Sequence, residues 1–289
     1  MTTAQIYIHA GAHRTGTSSF QMCLHENRAA LDQAGLATAY PGRDGIPSGD
    51  LALRLPGTIG AEPAGFVDRA TRTLADHAGG RPLILSEENI PGRMFHFMRG
   101  QFYPMAGPRC EVLRAAWPGT IAHVLLVVRP YDELFVSGYR KRAEDNAVPS
   151  FDDLRPTYMA MDRGWPSIVE VLRDVLRPDL LTVIPYAQRG SSTDLLQRLV
   201  PGIPGTALKE PGRVVNLSAT DAALEVLQEA YRGGQKLPRA KWKSVIGAHA
   251  EDRAPRGFAA FSETEVTELS ERYASDLKQI EWMDGVSFG

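Results

Sequence analysis

A chain of 289 residues is long enough to bury a substantial core, and with no compositional break along it the chain reads as one domain over residues 1–289, helical from about 201 onward. A formal net charge of −2 excludes a general nucleic-acid or membrane-surface binder, and two cysteines, Cys23 and Cys110, exclude a disulfide framework and are expected as reduced core residues. The first apolar run begins almost at residue 1, leaving no room for a secretion signal, and no run of about 18 or more apolar residues marks a membrane span, so a soluble cytoplasmic protein is expected.

Residues 6–8 have strand character and enter a turn built on Gly11 and Gly16, which leaves through Thr17, Ser18 and Ser19 into a helical pattern over 19–34 that Gly35 stops. A short strand over 36–40 follows. Residues 41–62 are rich in Gly and Pro, hold no period, and read as an irregular excursion of the kind that builds lids and substrate loops. A helix over 64–77 ends at Gly79 and Gly80. The strand PLILS, 82–86, runs straight into the polar residues Glu87, Glu88 and Asn89. Residues 93–109 mix aromatics, Met and basic residues without a firm period, and 110–117 read as helix.

The run IAHVLLVV, 121–128, is apolar at nearly every position, as central parallel strands are, and ends at Arg129. Pro130 suits the first turn of a helix over 131–143. Helices over 152–161 and 167–176, a strand over 180–185 and a helix over 193–199 follow. Beyond Pro201 no strong strand is expected. Helices over 219–231 and 263–280 flank a basic loop over 235–243. Strands alternating with helices imply an α/β three-layer sandwich around a central parallel sheet, with ligands at the carboxyl ends of strands. The first turn, the Glu87–Glu88 pair and Arg129 all fall at such ends.

The turn GAHRTGTS, 11–18, has the glycine spacing of the nucleotide-triphosphate P-loop, G-x-x-x-x-G-K-[ST], with Thr17 where the lysine belongs. No apolar strand ends in an Asp suited to magnesium, since the best candidate ends in Arg129. A glycine-rich turn opening a helix cradles an oxyanion on inward N–H groups, and Arg14 can supply the cation. The same turn would also serve as a plain strand-to-helix connection.

Together these residues resemble the sulfotransferases that use 3′-phosphoadenosine 5′-phosphosulfate (PAPS), in their bacterial-type form. The family's 5′-phosphosulfate loop, [KR]-[ST]-G-T-[TS], is matched by Arg14, Thr15, Gly16, Thr17 and Ser18. Its second signature, an Arg closing a central strand with a Ser eight residues later, is matched by Arg129 and Ser137 in RPYDELFVS. The resemblance covers mainly 6–21 and 121–142. It implies a P-loop NTPase-like fold, a sulfonyl transfer from PAPS to a hydroxyl or amine of a small-molecule or glycan acceptor, release of adenosine 3′,5′-bisphosphate (PAP), and no required metal. Residues 14–18 would hold the 5′-phosphosulfate, with Arg14 neutralising charge on the leaving phosphate. Arg129 and Ser137 would hold the 3′-phosphate.

For the base that takes the acceptor proton, the resemblance implies His or Glu. Glu88 is preferred, because Ser-x-Glu after this strand looks like the bacterial and glycan-type pattern. Glu87 is the rival, since neighbouring side chains on a strand point to opposite faces. Both could instead cap the following turn or pair with Arg93. His13, within the cradle, could touch phosphate or act as base.

Where cytosolic members carry an aromatic that stacks on adenine, this chain has Ser19; Phe20 comes next but reads as core. Arg140, Lys141 and Arg142 read as a mainly solvated face from which one side chain reaches the nucleotide. Lys236, Arg239, Lys241 and Lys243 resemble the region where family members close over the 3′-phosphate, although the Arg-Lys-Gly triplet is absent. Two other readings stay open: a P-loop kinase using Mg-ATP, and a non-catalytic nucleotide-binding protein. Neither acceptor identity nor oligomeric state is legible.

Overall fold

Alternation along the strands decides the layering. On the central strand, Val124, Leu126 and Val128 join a core with helices on one face, while Leu125 and Val127 join a second core on the other, which is the period-two pattern of a strand buried on both sides. The computed structural model describes residues 4–58, 63–203, 208–212 and 218–289.

Among these residues the strands are β1 (Gln5–His9), β2 (Ala37–Ala39), β3 (Leu83–Ser86), β4 (Thr120–Val128), β5 (Leu180–Pro185) and β6 (Val286–Phe288). They form one all-parallel sheet in the order β2-β3-β1-β4-β5-β6. The α-helices are α1 (Thr17–Glu26), α2 (Arg28–Gln33), α3 (Ala64–Ala78), α4 (Ala106–Ala116), α5 (Tyr131–Ala143), α6 (Phe151–Met159), α7 (Trp165–Val171), α8 (Ser192–Leu199), α9 (Asp221–Arg232), α10 (Arg239–Ala248) and α11 (Glu263–Glu281). The sheet is thus α/β, flanked by helices. Phe20, Cys23 and Leu24 of α1 with Leu195, Leu196 and Leu199 of α8 cover one face. Residues of α3, α4, α5 and α7 cover the other, where Ala223 and Leu224 of α9 and Leu269 and Ile280 of α11 join them. No helix of the described residues is long and apolar enough to cross a membrane.

The chain leaves β1 toward β2 and β3 on one side of the sheet, then crosses to β4, β5 and β6 on the other. β1 and β4 therefore bound the switch point, where divergent connections leave a crevice beyond the carboxyl ends.

Several boundaries differ from the sequence reading. The helix expected over 19–34 starts at Thr17 and breaks at Asn27. There the Asn27 side chain donates to the Cys23 and Lys209 carbonyls at 2.8 Å each and accepts from Lys209 N–H at 2.7 Å, so a distant segment docks into the helix junction. The helix expected from 110 begins at Ala106, after a 3-10 turn over Met94–Arg99. A π-turn over Leu172–Leu176 closes α7.

The part beyond 201 is not wholly helical, because β6 adds an edge strand. Three residues carry too little alternation to announce a strand, and pairing with β5 creates it. The 235–243 loop turns helical at Arg239, following Pro238. Residues 59–62 of the excursion lie outside the described residues.

Candidate functional site

The loop after β1 is shaped by two left-handed residues. Arg14 has φ 65° and Gly16 φ 90°, an alternation that turns successive N–H groups to one side as an anion nest does. A Cβ at Gly11 would run into the Thr17 side chain, so the loop closes tightly at its first glycine. Thr15 Oγ1 donates to the Ala12 carbonyl at 2.7 Å and Thr17 Oγ1 to the same carbonyl at 3.2 Å. The Thr15 hydroxyl thus braces the loop from within and is buried. Gly16 is the N-cap of α1 and brings no side-chain cap, so the helix presents its positive end at the loop.

A cavity of about 510 Å³ opens here, within the range of small-molecule and cofactor sites. The loop contributes His13, Arg14, Gly16, Thr17 and Ser18. Glu88 enters after β3, Arg129 after β4 and Tyr186 after β5, with Ser137 and Lys141 from α5. Four strand ends therefore converge on one space.

Arg14 does not fold back over its own loop. Its Nε donates to Ser137 Oγ at 2.7 Å and its Nη2 to Ser218 Oγ at 3.3 Å. Arg129 Nη1 donates to the Arg14 carbonyl at 2.8 Å, its Nε pairs with Glu133 at 3.0 Å, and its guanidinium lies 4.9 Å from the Tyr186 ring centroid. Trp165 Nε1 holds the Arg129 carbonyl at 2.9 Å and so orients the strand end. The structure thus brings Arg14, Arg129 and Ser137 together in one network.

The two glutamates separate. Glu87 is 1% exposed and accepts from Asn89 N–H at 2.9 Å, Asn89 Nδ2 at 2.8 Å, and Arg43 Nη1 and Nη2 at 3.0 and 3.3 Å. Its carboxylate is a structural anchor outside the cavity lining. Glu88, with a side chain 23% exposed, lines the cavity and takes a 2.7 Å bond from the same Arg43 Nη1. Burial pulls the Arg43 guanidinium down, but the two carboxylates hold it above its ordinary value overall. Neither glutamate pairs with Arg93 among the described residues; Arg43 occupies that role. Arg109 fixes the turn from below, donating to the Asn89 carbonyl at 2.5 Å and the Pro56 carbonyl at 2.6 Å.

His13 Nδ1 lies 3.1 Å from the Glu88 carbonyl, which can only accept, so Nδ1 carries the proton and Nε2 is an acceptor in the neutral ring. Burial outweighs the neighbouring Glu88 and Glu87 and holds this imidazole below the ordinary histidine range. The neutral His13 ring thus lines the cavity beside Glu88.

Other expectations are resolved by position. Phe20 is fully buried with its ring 4.2 Å from His9, a core residue. Both cysteines are buried and unpaired. Lys141 is the basic residue of α5 that reaches the cavity, while Arg140 pairs with Asp221. From the basic stretch, Arg239 lines the cavity; Lys236, Lys241 and Lys243 do not. Sequence reasoning missed Arg43, whose excursion carries no periodic signal, and Ser218. Tyr186 was accessible to the rule that ligands meet strand ends, since it directly follows β5.

Among the described residues the arrangement is a crevice at the switch point of an α/β sheet, lined by Arg14, Arg43, Arg129, Lys141, Arg239 and the carboxylate of Glu88, with Arg43, Arg129 and Lys141 each also paired with a glutamate. Such a lining suits an elongated polyanion beside a proton acceptor. No family model matches the chain, and no curated protein matches it.

Proposed function

We propose that the protein is a PAPS-dependent sulfotransferase of the P-loop-like fold. The observation that carries this reading is the junction of the 14–18 loop with Arg129 and Ser137 in a single cavity, through the 2.7 Å contact of Arg14 with Ser137 and the 2.8 Å contact of Arg129 with the Arg14 carbonyl. Two anion-binding ends a short distance apart match a donor with phosphates at both ends of its ribose.

In this reading the loop N–H groups and the α1 N-terminus hold the 5′-phosphosulfate. Arg129, Ser137 and Lys141 hold the 3′-phosphate, and Arg14 spans the two. Tyr186, beside Arg129, offers the aromatic surface that Ser19 does not. Glu88 accepts the proton of the acceptor hydroxyl or amine as that nucleophile bonds to sulfur and the bond from sulfur to the bridging phosphate oxygen breaks, releasing PAP. Arg43 holds the Glu88 carboxylate toward the cavity until the acceptor enters. His13 Nε2 is the alternative acceptor of that proton.

Thermal stabilisation tests the donor assignment. Adenosine 3′,5′-bisphosphate in the presence of a chelator should raise the melting temperature by several degrees. A response to Mg-ATP alone would replace this reading with a kinase. Incubation with radiolabelled PAPS and an acceptor panel then tests turnover; donor binding without a labelled product from any acceptor would favour a non-catalytic binding protein.

A further inference from the structure

We propose that Arg189 is a positioning residue of the anion loop: a fixed positive charge held one backbone layer behind Gly16, adding from the β5 side to the charge that Arg14 supplies from within the loop. The inference depends on the reading above only for the name of the anion.

Gly16 lines the cavity, and Arg189 abuts it from behind. A Cβ on Gly16 would stand 2.6 Å from Arg189 Nε and 2.8 Å from Cζ, so the glycine and the guanidinium are a fitted pair. Arg189 Nη2 donates to the Gly16 carbonyl at 3.4 Å and to Ser192 Oγ at 3.2 Å, and Nη1 donates to the Gly190 carbonyl at 3.1 Å. All three acceptors are neutral.

The Nε is buried without a hydrogen-bond partner. Among the described residues no carboxylate forms an ion pair with this guanidinium. The nearest in effect, Glu210, is bonded to the N–H groups of Ser192 and Thr193 at 2.9 and 2.8 Å. Cys23 is no counter-ion, because burial first, and then Glu210, push its thiol up to about 12.

A half-buried cation with neutral partners is costly unless an anion sits nearby. The side of Gly16 away from Arg189 is the cavity, where a phosphate or sulfonate would supply it. The same charge joins burial, the larger cause, in lowering the His9 imidazole under the loop. Arginine suits the task, since it stays protonated through partial burial.

The test uses isothermal titration of the full chain with inorganic pyrophosphate, adenosine 3′,5′-bisphosphate and adenosine 3′-monophosphate. Arg189→Gln should weaken the first two about tenfold while leaving the monophosphate, which lacks the group at the loop, within about twofold. Arg189→Lys, which keeps the charge, should hold pyrophosphate affinity within about threefold of the parent. Equal weakening of all three ligands by Arg189→Gln would mean a merely structural role and overturn the proposal, as would no weakening. If Arg189→Gln does not fold, a pyrophosphate loss beyond tenfold in folded Arg189→Lys overturns it, whereas retained affinity supports it. Parent protein that binds pyrophosphate but neither nucleotide would sink the PAPS reading and leave Arg189 standing; parent protein that binds none of the three would sink both.

Discussion

Arg14 donates from Nε to Ser137 Oγ at 2.7 Å across 123 positions of sequence, fastening the loop after β1 to the face of α5. Arg129 completes the arrangement by donating to the Arg14 carbonyl at 2.8 Å. Bonds of this kind polarise one another, and their energies are coupled.

Ser137→Ala and Arg129→Gln should each weaken adenosine 3′,5′-bisphosphate binding, by about 1–3 kcal/mol for the charged residue and less for the serine. The double variant should lose less than the sum, because the two residues meet through Arg14. Calorimetric titration of the three variants measures the coupling. Strict additivity would show that the network does not act as a unit.

Glu87 and Glu88 should separate by phenotype. Glu87→Gln disturbs a buried carboxylate shared by Arg43 and Asn89 and should cost about 1–3 kcal/mol of folding stability. Glu88→Gln should leave denaturant stability nearly unchanged and remove turnover. Urea melts beside radiolabel transfer assays read both quantities, and a reversed pattern would move the base to Glu87. Retained turnover in Glu88→Gln with its loss in His13→Gln would move it to His13.

Gly16→Ala should abolish anion binding while the protein remains folded. Its φ of 90° strains any L side chain by about 1–2 kcal/mol, and the new methyl collides with the Arg189 guanidinium. A crystal structure or titration showing an intact loop with bound pyrophosphate would contradict this.

Stability should fall with acid. Burial, then the charge of Arg189, lowers His9 from its ordinary 6.5 to about 3, so between these values the unfolded chain binds a proton that the folded chain refuses. The contribution is fully present above pH 6.5 and is lost as pH falls toward 3, at about 1.4 kcal/mol per pH unit in that window. His13 and His123, also lowered chiefly by burial, act in the same direction. Urea midpoints from pH 8 to 4 should drop, and His9→Asn should flatten the curve. An unchanged slope in that variant would assign the acid sensitivity elsewhere.

The strands over 6–8, 36–40, 82–86, 121–128 and 180–185 were legible because short, predominantly apolar runs bounded by turn residues suit burial on both faces of a parallel sheet. Each reappears within a residue or two of its expected limits. The helix break at Asn27 was not legible, because its cause is Lys209, whose approach no local window contains. β6 escaped for the same reason. Three residues become a strand through hydrogen bonds to β5.

For the site, local chemistry by itself determined the glycine-turned loop of 11–18, the Arg at the end of β4 and the polar pair after β3, since glycine spacing and polar residues at apolar strand ends are properties of short segments. What only the tertiary structure decided is which of those groups face each other. The parallel order puts β1 between β3 and β4, so Glu88, Arg14 and Arg129 reach one cavity. Arg43 and Arg189 arrive from connections with no periodic signal. A strand end specifies where a side chain emerges; its partners follow from the sheet order and the docking of irregular segments, which depend on contacts between residues far apart in the chain.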